Sequence, residues 1–493
     1  MHHPYPAQAS FDGGDLDCGN GLLLLIRQHI DPLAPGELLE ILSRESSVEE
    51  ELPAWCRLTG NELVSRWRDG KEHSFLVSKG PFRSAAPASP RVVRHDLPRA
   101  AAPVLTVPPL AVMGIGSWPR PRWMLRALHE HLERRMPDDE FELTADDAVR
   151  LAVQAQLAAG ADVLTDGEQR RDNYASFVGG LLEGCQLIPI TDLLPYVDDP
   201  EEFRAELQAL DVPAERVRHP AVFGKLRRVR PLAVHELAFV QSIAPGHAVK
   251  IALPGPYLLT RTMWLECVSE RQYKTREELA ADVVTALREE IGDLIAQGAA
   301  LVQLDEPVLS EVVFGTARAK RSFMCGALGD RGEATHELEF SQALLAAVTA
   351  GFPRDRLALH VCRGNWSPDE SVALAGDYRP LLQFLSQAPV GTLFLELATP
   401  RAGELEVLST LPEEKRICAG VVNQKSPRVE PVEEVTARAA RAVKLFGRDR
   451  VLFAPDCGFA TFADNPLAAE AVAVAKLKTI AAAAQQIRLG ETR

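Results

Sequence analysis

The sequence predicts an α/β protein in which a (β/α)8 barrel follows a small N-terminal module. Three observations lead to this prediction. After residue 108, short apolar runs alternate with longer amphipathic stretches, eight such runs occur, and most of them end in polar or loop-forming residues. This alternation is typical of repeated βα units with parallel strands. The same order of elements also fits a doubly wound open sheet.

The predicted strands are short and rich in Val, Leu and Ile. In chain order they are Leu110 to Gly114, Asp162 to Thr165, Ala248 to Leu253, Leu301 to Leu304, Leu357 to Val361, Leu393 to Glu396, Ile417 to Val422 and Val451 to Phe453. Apolar residues at helical spacing predict helices over residues 276–299 and 466–487. The stretch from Tyr174 to Gly246 is longer than an ordinary βα connection, so we interpret it as an insertion.

The chain divides at residues 81–108, which are rich in Pro, Ala and Ser and lack periodicity. This composition is typical of a semi-rigid linker. It separates a module at residues 8–80 from the barrel at residues 109–490. A length of 493 residues is consistent with more than one domain.

Composition restricts the class of partner. The net charge of −14 and the pI of about 5.5 argue against non-specific nucleic-acid binding, which usually needs a basic surface. The eight Cys residues are scattered, so reduced thiols are expected rather than a disulfide framework. No apolar segment approaches the ~20 residues of a spanning helix. We expect a cytoplasmic protein acting on small molecules, with neither nucleic acid nor membrane as partner.

Potential metal ligands stand at the ends of three apolar runs. His360 and Cys362 end the fifth run, Glu396 ends the sixth, and Cys457 follows the eighth. Residues two apart in a strand point to the same face, so His360 and Cys362 can reach one ion. Imidazole and two thiolates suit Zn²⁺, and a carboxylate can take the fourth position. An isolated His-x-Cys pair is also compatible with a buried thiol beside a satisfied histidine. The recurrence at several strand ends favours a zinc site that handles thiols.

Other strands also end in polar or loop-forming groups. Gly116-Ser117 follows the first run, Asp166-Gly167-Glu168 the second, and Asp305-Glu306-Pro307 the fourth. Active sites of (β/α)8 barrels lie at the carboxyl ends of the strands, so these groups are expected on one face.

In combination, these residues resemble the catalytic barrel of cobalamin-independent methionine synthase and its shorter relatives, which are zinc-dependent alkyl-transfer enzymes acting on thiols. The resemblance spans about residues 109–490. The motifs are Ile115-Gly116-Ser117, Gly167-Glu168, Gln303-x-Asp305-Glu306-Pro307, His360-x-Cys362, Glu396, Ser426-Pro427 and Pro455-Asp456-Cys457-Gly458.

The resemblance implies which residues hold metal and substrate. The zinc ligands would be His360, Cys362, Glu396 and Cys457. An amino-acid thiol, usually homocysteine, would be held by Ile115, Gly116, Ser117, Glu168, Asp305 and Glu311. Coordination to Zn²⁺ turns a thiol into a nucleophilic thiolate. Glu396 would be the ligand that the substrate sulfur displaces, Glu168 and Asp305 would pair with the substrate ammonium, and backbone N–H groups of the 115–117 turn would face its carboxylate.

The sequence departs from the family at the position that handles the methyl donor. In the family's Asp-x-His-Ser-Pro stretch, the histidine supplies a proton to the departing donor, and here the matching segment is Asn423-Gln424-Lys425-Ser426-Pro427. Lys425 is therefore the candidate acid or charge-stabilising group. The second barrel of long methionine synthases has no match, so the donor stays open between a methyl-tetrahydrofolate and another methyl or alkyl compound.

The N-terminal module resembles a TusA-like sulfur-carrier domain, which implies the order β-α-β-α-β-β. The resemblance rests on Leu16-Asp17-Cys18 before an apolar helix, Pro35-Gly36-Glu37 before a strand, and Asp69-Gly70 as a hairpin turn. A thiol ahead of a helix meets the positive end of the helix dipole, which favours thiolate. Cys18 is thus a candidate persulfide carrier, served by a sulfur-relay partner. Gly19 and Gly21 replace the two prolines of the family's Cys-Pro-x-Pro motif, so a docking or structural module is the alternative.

Three hypotheses follow. The first is a zinc-dependent methyl or alkyl transferase that activates a homocysteine-like thiol. The second is an enzyme that transfers sulfur from a persulfide on Cys18 to the barrel. The third, of a different class, is a non-catalytic sulfur-relay or zinc-binding protein.

Overall fold

A computed structural model describes residues 3–69, 71–82, 105–132, 136–189, 201, 218–264, 272–315, 333–365, 367–463 and 466–490. Within these residues the strands form a four-stranded sheet, a seven-stranded sheet and a two-stranded hairpin. Of the helices in the described parts of the chain, none is long and apolar enough to span a membrane.

The N-terminal module has the element order β-α-β-α-β-β. Its elements are β1 Ala9–Asp12, α1 Leu22–Ile30, β2 Leu38–Ser43, α2 Val48–Thr59, β3 Glu62–Asp69 and β4 Glu72–Ser78. The sheet order is β1-β2-β4-β3, with β1 parallel to β2 and the other pairs antiparallel. Leu22, Ile26 and Ile30, spaced four apart on α1, are buried in the module's own core. Along the chain, the helices and strands of this module follow each other in the predicted order.

The rest of the chain is an α/β fold built on parallel strands. After β5 Val163–Leu164, the hairpin strands β6 Leu182–Pro189 and β7 Arg218–Arg228 precede the strands β8 Ala248–Pro254, β9 Leu301–Asp305, β10 Leu357–Val361, β11 Thr392–Leu395, β12 Arg416–Val422 and β13 Val451–Pro455. The seven-stranded sheet has the order β13-β12-β11-β10-β9-β8-β5, and every pair in it is parallel. Seven of the eight predicted strands are therefore present.

The first predicted strand, over residues 110–114, is not a regular strand. It makes single parallel bridges, from Val112 to Phe453 on β13 and from Met113 to Val163 on β5. Leu110 has a φ of 56°, outside the extended region, which shortens the run that can pair. The two bridges nevertheless join the two edge strands of the sheet.

Along the chain, helices precede, separate and follow the parallel strands. They are α3 Arg122–Leu132, α4 Asp138–Ala159, α5 Val234–Ile243, α6 Pro256–Met263, α7 Arg276–Ala296, α8 Val308–Phe314, α9 Ala334–Thr349, α10 Leu382–Gln387, α11 Val432–Phe446 and α12 Glu470–Leu489. Thr275 caps α7 by accepting the N–H of Glu278. The helices predicted over residues 276–299 and 466–487 are confirmed as α7 and α12. Their apolar faces contribute to the main core.

The insertion contains the antiparallel hairpin β6–β7, whose connection at residues 190–200 and 202–217 lies outside the described residues. On one side, Arg228 pairs with Glu290 of α7 at 2.7 Å. On the other, Gln186 donates to the carbonyl of Arg27 at 2.8 Å and to Asp31 at 3.1 Å, both on the N-terminal module. The hairpin thus contacts both parts of the chain. Residues 83–104 of the predicted linker also lie outside the described residues.

Candidate active site

Three predicted metal ligands meet at the carboxyl ends of β10 and β13. His360 is on β10, Cys362 directly follows it, and Cys457 lies two residues after β13. Their ligand atoms all lie within 4.8 Å of one another, and all three side chains are buried. Alternation along β10 directs His360 and Cys362 to one side, as the two-residue spacing predicts. The parallel sheet brings Cys457 to the same end.

His360 is oriented by a carboxylate. Its Nδ1 lies 2.9 Å from Asp305 Oδ1, whereas Nε2 is buried and has no hydrogen-bond partner among the described residues. Burial lowers the pKa of His360, but the hydrogen bond and charge of Asp305 outweigh burial and raise it overall. Histidines that bind metals commonly donate their second nitrogen to a carboxylate in this way. The buried, unpartnered Nε2 therefore fits a metal ligand.

The two thiols are in direct contact. The hydrogen bond from Cys457, helped by the charge of His360, lowers the pKa of Cys362 to about 7 although burial raises it. The same hydrogen bond and burial raise the pKa of Cys457 well above its ordinary value. One imidazole nitrogen beside two sulfurs is a donor set that suits Zn²⁺, and the residues present therefore fit this metal.

Glu396, the fourth predicted ligand, is buried next to this group but is not part of it. Arg401 Nη2 donates to its Oε1 at 2.5 Å, and the backbone N–H of Arg363 donates to its Oε2 at 3.0 Å. Its charge contributes to raising the pKa of both Cys362 and Cys457. The carboxylate is thus near the thiols and is held by two donors of its own.

The loop that follows β11 is fixed by Asp456. Its Oδ1 accepts the backbone N–H groups of Leu397 and Ala398, each at 2.9 Å. A Cβ on Gly420 would lie 2.1 Å from this oxygen, so a side chain there would displace the carboxylate. The absence of a side chain at Gly420 therefore lets Asp456 hold the backbone that immediately follows Glu396.

A pocket lies at the candidate metal-ligand group, which consists of His360, Cys362 and Cys457. Its lining residues are Ile115, Ser117, Glu168, Tyr174, Asp305, Pro307, His360, Cys362, Asn365, Cys457, Gly458 and Thr461. Four of the residues predicted to hold substrate are among them. Gly116 and Glu311 are not among the lining residues, and Glu311 lies 3.7 Å from Arg261. The sequence prediction did not include Tyr174 or Thr461.

Glu168 sits in this pocket under strain. Its φ is 55°, in the left-handed region that side chains rarely adopt, and burial raises the pKa of its carboxyl to about 7. Arg171 is 3.8 Å away. A Cβ on Gly116 would lie 2.1 Å from Glu168 Oε1, so only glycine fits there. A strained, poorly solvated carboxyl in a pocket is a feature of functional sites.

Asp305 lines the pocket and is hydrogen-bonded to two neighbouring side chains. Its Oδ1 accepts both from His360 and from Gln303 Nε2, the latter at 2.6 Å. Gln303 in turn accepts from Lys250 Nζ at 2.5 Å, and Lys250 also donates to the carbonyl of Ile115. Burial lowers the pKa of Lys250 to about 8. This chain of contacts links the 115–117 turn to the candidate metal ligand His360.

Asn365 joins the loops that bear the two cysteines. Its Nδ2 donates to the carbonyl of Gly458 at 2.7 Å and to Thr461 Oγ1 at 2.6 Å, and its Oδ1 accepts from Gln424. Phe459 donates its backbone N–H to the carbonyl of Ser117 at 3.0 Å. The strand ends around the pocket are therefore tied together by polar contacts of the protein itself.

Lys425 is buried close to the metal-ligand group. Burial, followed by the charge of Arg401, lowers the pKa of its amine, whereas the charges of Glu396, Cys362 and Cys457 act to raise it. The amine therefore lies within electrostatic reach of both thiols. It does not belong to the pocket lining.

Cys18 begins a short 3-10 turn, Cys18–Asn20, ahead of α1. Burial raises the pKa of its thiol to about 12, with further increases from the hydrogen bond and charge of Glu51 on α2. Burial and the neighbouring Glu51 carboxylate therefore oppose the thiolate that the position ahead of the helix was expected to favour. Cys56 lies in the core of the module.

The comparisons with known proteins agree with this geometry. The model of a family described as the cobalamin-independent synthase, catalytic domain, matches residues 110–486. A methionine synthase of Saccharolobus solfataricus is 26% identical over 352 residues, covering 71% of this chain and 89% of that protein. One from Sulfurisphaera tokodaii is 25% identical over 354 residues, covering 71% and 86%.

Solved structures show the same fold. A B12-independent methionine synthase from Shewanella sp. W3-18-1, in complex with selenomethionine, aligns with a TM-score of 0.58 at 22% identity, covering 78% of this chain and 99% of that one. A putative vitamin-B12 independent methionine synthase from Listeria monocytogenes aligns with a TM-score of 0.55 at 17% identity over the same shares. The match of the family model covers most of the chain and includes every residue of the metal-ligand group. The chain therefore belongs to the family of the cobalamin-independent synthase catalytic domain.

Proposed function

We propose that this chain transfers a methyl group to the sulfur of a homocysteine-like amino-acid thiol, with Zn²⁺ held by His360, Cys362, Cys457 and Glu396. The observation that carries the proposal is the convergence of one imidazole and two thiols in the pocket that also contains Glu168. Membership of a family whose curated members are named methionine synthases supports the same reaction. With residues 112 and 113 in the place of an eighth strand, we interpret the sheet as a (β/α)8 barrel.

When bound, Zn²⁺ supplies the charge that keeps a coordinated thiol deprotonated at neutral pH. Asp305 holds the Nδ1 proton of His360, so that Nε2 presents its lone pair. Glu168 pairs with the substrate ammonium, and the backbone of the 115–117 turn faces the substrate carboxylate. These contacts fix the amino acid so that its sulfur points towards Cys362 and Cys457, and they exclude thiols that lack an amino-acid group.

The methyl transfer is a single displacement. The substrate sulfur forms a bond to the methyl carbon, the bond from that carbon to the donor breaks, and the donor leaves with the electron pair and takes up a proton. We propose a methyl-tetrahydrofolate as the donor and Lys425 as the residue that steadies its developing negative charge. Burial, followed by the charge of Arg401, lowers the pKa of Lys425, so its ammonium gives up a proton more readily than an exposed lysine and can also supply the proton that the departing donor takes up.

Metal analysis tests the metal site. Purified wild-type protein is expected to contain about one Zn²⁺ per chain, and Cys457→Ala is expected to lose most of it. Cys418→Ala is the matched control, because Cys418 is equally buried but lies in a separate apolar cluster on β12. A metal-free wild type, or equal loss in both variants, contradicts the assignment.

An activity panel tests the reaction. Methionine formation from homocysteine is measured with mono- and polyglutamylated methyl-tetrahydrofolates and with simpler methyl donors. Turnover with a folate donor supports the proposal. Turnover with a non-folate donor alone selects the alternative of a non-folate thiol alkyltransferase, and binding of Zn²⁺ without any turnover selects a non-catalytic zinc-binding protein.

The second candidate function is sulfur transfer from the TusA-like module. The observed β-α-β-α-β-β order and the position of Cys18 ahead of α1 favour it, and the contact of Gln186 with this module gives it a fixed neighbour on the barrel side. Glu51 must move away from the thiol before a persulfide can form on Cys18. Persulfide trapping followed by mass spectrometry tests this candidate, with Cys56→Ala as control. Absence of sulfur on Cys18 after incubation with a persulfide donor eliminates it.

A further inference from the structure

The carboxylate of Glu396 has a cationic partner that no motif predicted. The side chain is fully buried, and each oxygen is engaged, Oε1 by Arg401 and Oε2 by the backbone N–H of Arg363. An ionised carboxylate loses its hydration when it is buried, and hydrogen bonds or opposite charges of the protein must replace the lost interactions. The ion pair with Arg401 therefore helps to hold the Glu396 carboxylate in place.

Arg401 is well placed to hold its position while Glu396 moves. It lies in a short 3-10 turn, Pro400–Ala402, five residues after Glu396, and its side chain is mostly buried. Its other amino group, Nη1, pairs with Glu370 Oε2 at 3.1 Å. The guanidinium is thus anchored at the protein surface by Glu370 and reaches inward to Glu396.

We propose that Arg401 is a positioning residue that receives the Glu396 carboxylate when the substrate sulfur takes its place at the metal. This inference rests on the proposed function. Arg401 and the proposed metal are two cations that would compete for the carboxylate of Glu396. With Arg401 present, Glu396 leaves the metal without becoming an unpaired buried charge, so exchange with the substrate thiol is favourable.

Removal of Arg401 is expected to commit Glu396 to the metal. Arg401→Met should tighten metal binding and weaken displacement by a thiol, each by about tenfold or more, because a charge-assisted hydrogen bond that competes with the metal is lost. Lys425 also interacts electrostatically with Glu396, and the charge of Arg401 is one of the causes that lower the pKa of Lys425.

The experiment uses the full chain loaded with Co²⁺, whose absorption reports thiolate coordination. Homocysteine is titrated into wild type and Arg401→Met, and the concentration giving half of the charge-transfer change is compared. Release of Zn²⁺ to a chromogenic chelator measures metal retention independently of turnover. We expect a half-saturating thiol concentration at least about tenfold higher in the variant, and slower release of Zn²⁺.

Three further variants make the test specific. Glu370→Gln removes a charge beside Arg401 but keeps an acceptor oxygen that can hold the guanidinium, and it leaves the contact with Glu396, so it is expected to behave as wild type. Arg401→Gln keeps a hydrogen-bond donor without charge and should shift both measurements in the same direction as Arg401→Met, which secures the test if the methionine variant folds poorly. In a Glu396→Gln background, Arg401→Met should add no further change.

Unchanged thiol titration and unchanged Zn²⁺ release in a folded Arg401 variant overturn the proposal. An effect of the same size in the Glu396→Gln background also overturns it, because Arg401 would then act through another group. A wild type that binds Co²⁺ but does not respond to homocysteine contradicts the proposed function itself and removes the basis of this inference. The two failures are therefore distinguishable.

Discussion

Ionised Glu168 is expected to lower the stability of the folded protein and also to bind the ammonium group of the substrate. Replacement of Glu168 by Gln allows these two effects to be measured separately. Burial raises the pKa of this carboxyl from an ordinary value of 4.5 to about 7. At 1.36 kcal/mol per pH unit, this difference corresponds to a cost of about 3 kcal/mol for keeping the ionised group in the folded protein. Gln has nearly the same shape and no ionisable group.

The sign of the effect follows from the two pKa values. Below about pH 4.5, Glu168 is protonated in both the folded and the unfolded chain, and ionisation costs nothing. Between pH 4.5 and about 7, unfolding releases a proton, so the stability of wild type relative to Glu168→Gln falls as the pH rises. Above about pH 7 the full cost is present. The variant is therefore expected to be more stable than wild type by about 3 kcal/mol at pH 8 and by little at pH 4.5.

Urea unfolding between pH 4.5 and pH 8.5 measures this difference, because other titrating groups are common to both proteins. Replacement of Glu413 by Gln is the matched control, because it removes a carboxyl that is exposed instead of buried. The same Glu168→Gln protein should bind homocysteine more weakly, since it loses the partner of the ammonium group. A stability difference that is the same at pH 5 and pH 8 refutes the explanation from burial.

Three further predictions concern the site and its supports. Asp305→Asn should weaken Zn²⁺ binding by about 10- to 100-fold, because His360 loses the carboxylate that orients it, and equal affinity by chelator competition contradicts this. Gly458→Ala should lower the urea midpoint of unfolding and weaken homocysteine binding, because the added Cβ would lie 2.2 Å from the hydroxyl oxygen of Ser117. Gly114→Ala is the control, because its Cβ would meet no atom of the described residues within 4 Å. Lys250→Met should destabilise the folded protein by about 2 kcal/mol in urea, because two buried oxygens lose their donor, and no change would contradict the network.

Most of the strands could be predicted from the sequence, because parallel strands covered by helices are nearly continuous apolar runs. The convergence of His360, Cys362 and Cys457 was also predictable, since two-residue spacing and the common end of parallel strands are simple geometric rules. The region of Val112 was predicted less well, because apolar composition does not reveal that Leu110 leaves the extended conformation.

Contacts between side chains that are distant in sequence were not predictable in the same way. The sequence shows Lys250 as a charged residue inside an apolar run. Its hydrogen-bond partners lie on two other segments of the chain, and the sequence does not indicate which ones. Arg401 follows Glu396 closely, and yet spacing in a loop does not indicate where a long side chain points. The sequence also did not show that burial, followed by Glu51 from another helix, raises the pKa of Cys18 against the local effect of the helix start.

The contacts of Asn365 bear on how the proposed Zn²⁺ would bind. Two loops almost a hundred residues apart are fastened by ordinary hydrogen bonds to Gly458 and Thr461, within an α/β fold that has its own large apolar core. Neither these contacts nor this core involves a metal, so, unlike small zinc domains that fold only around their ion, we expect this protein to fold without Zn²⁺ and to bind it reversibly afterwards. A cell short of zinc would then accumulate folded protein that can still take up the metal.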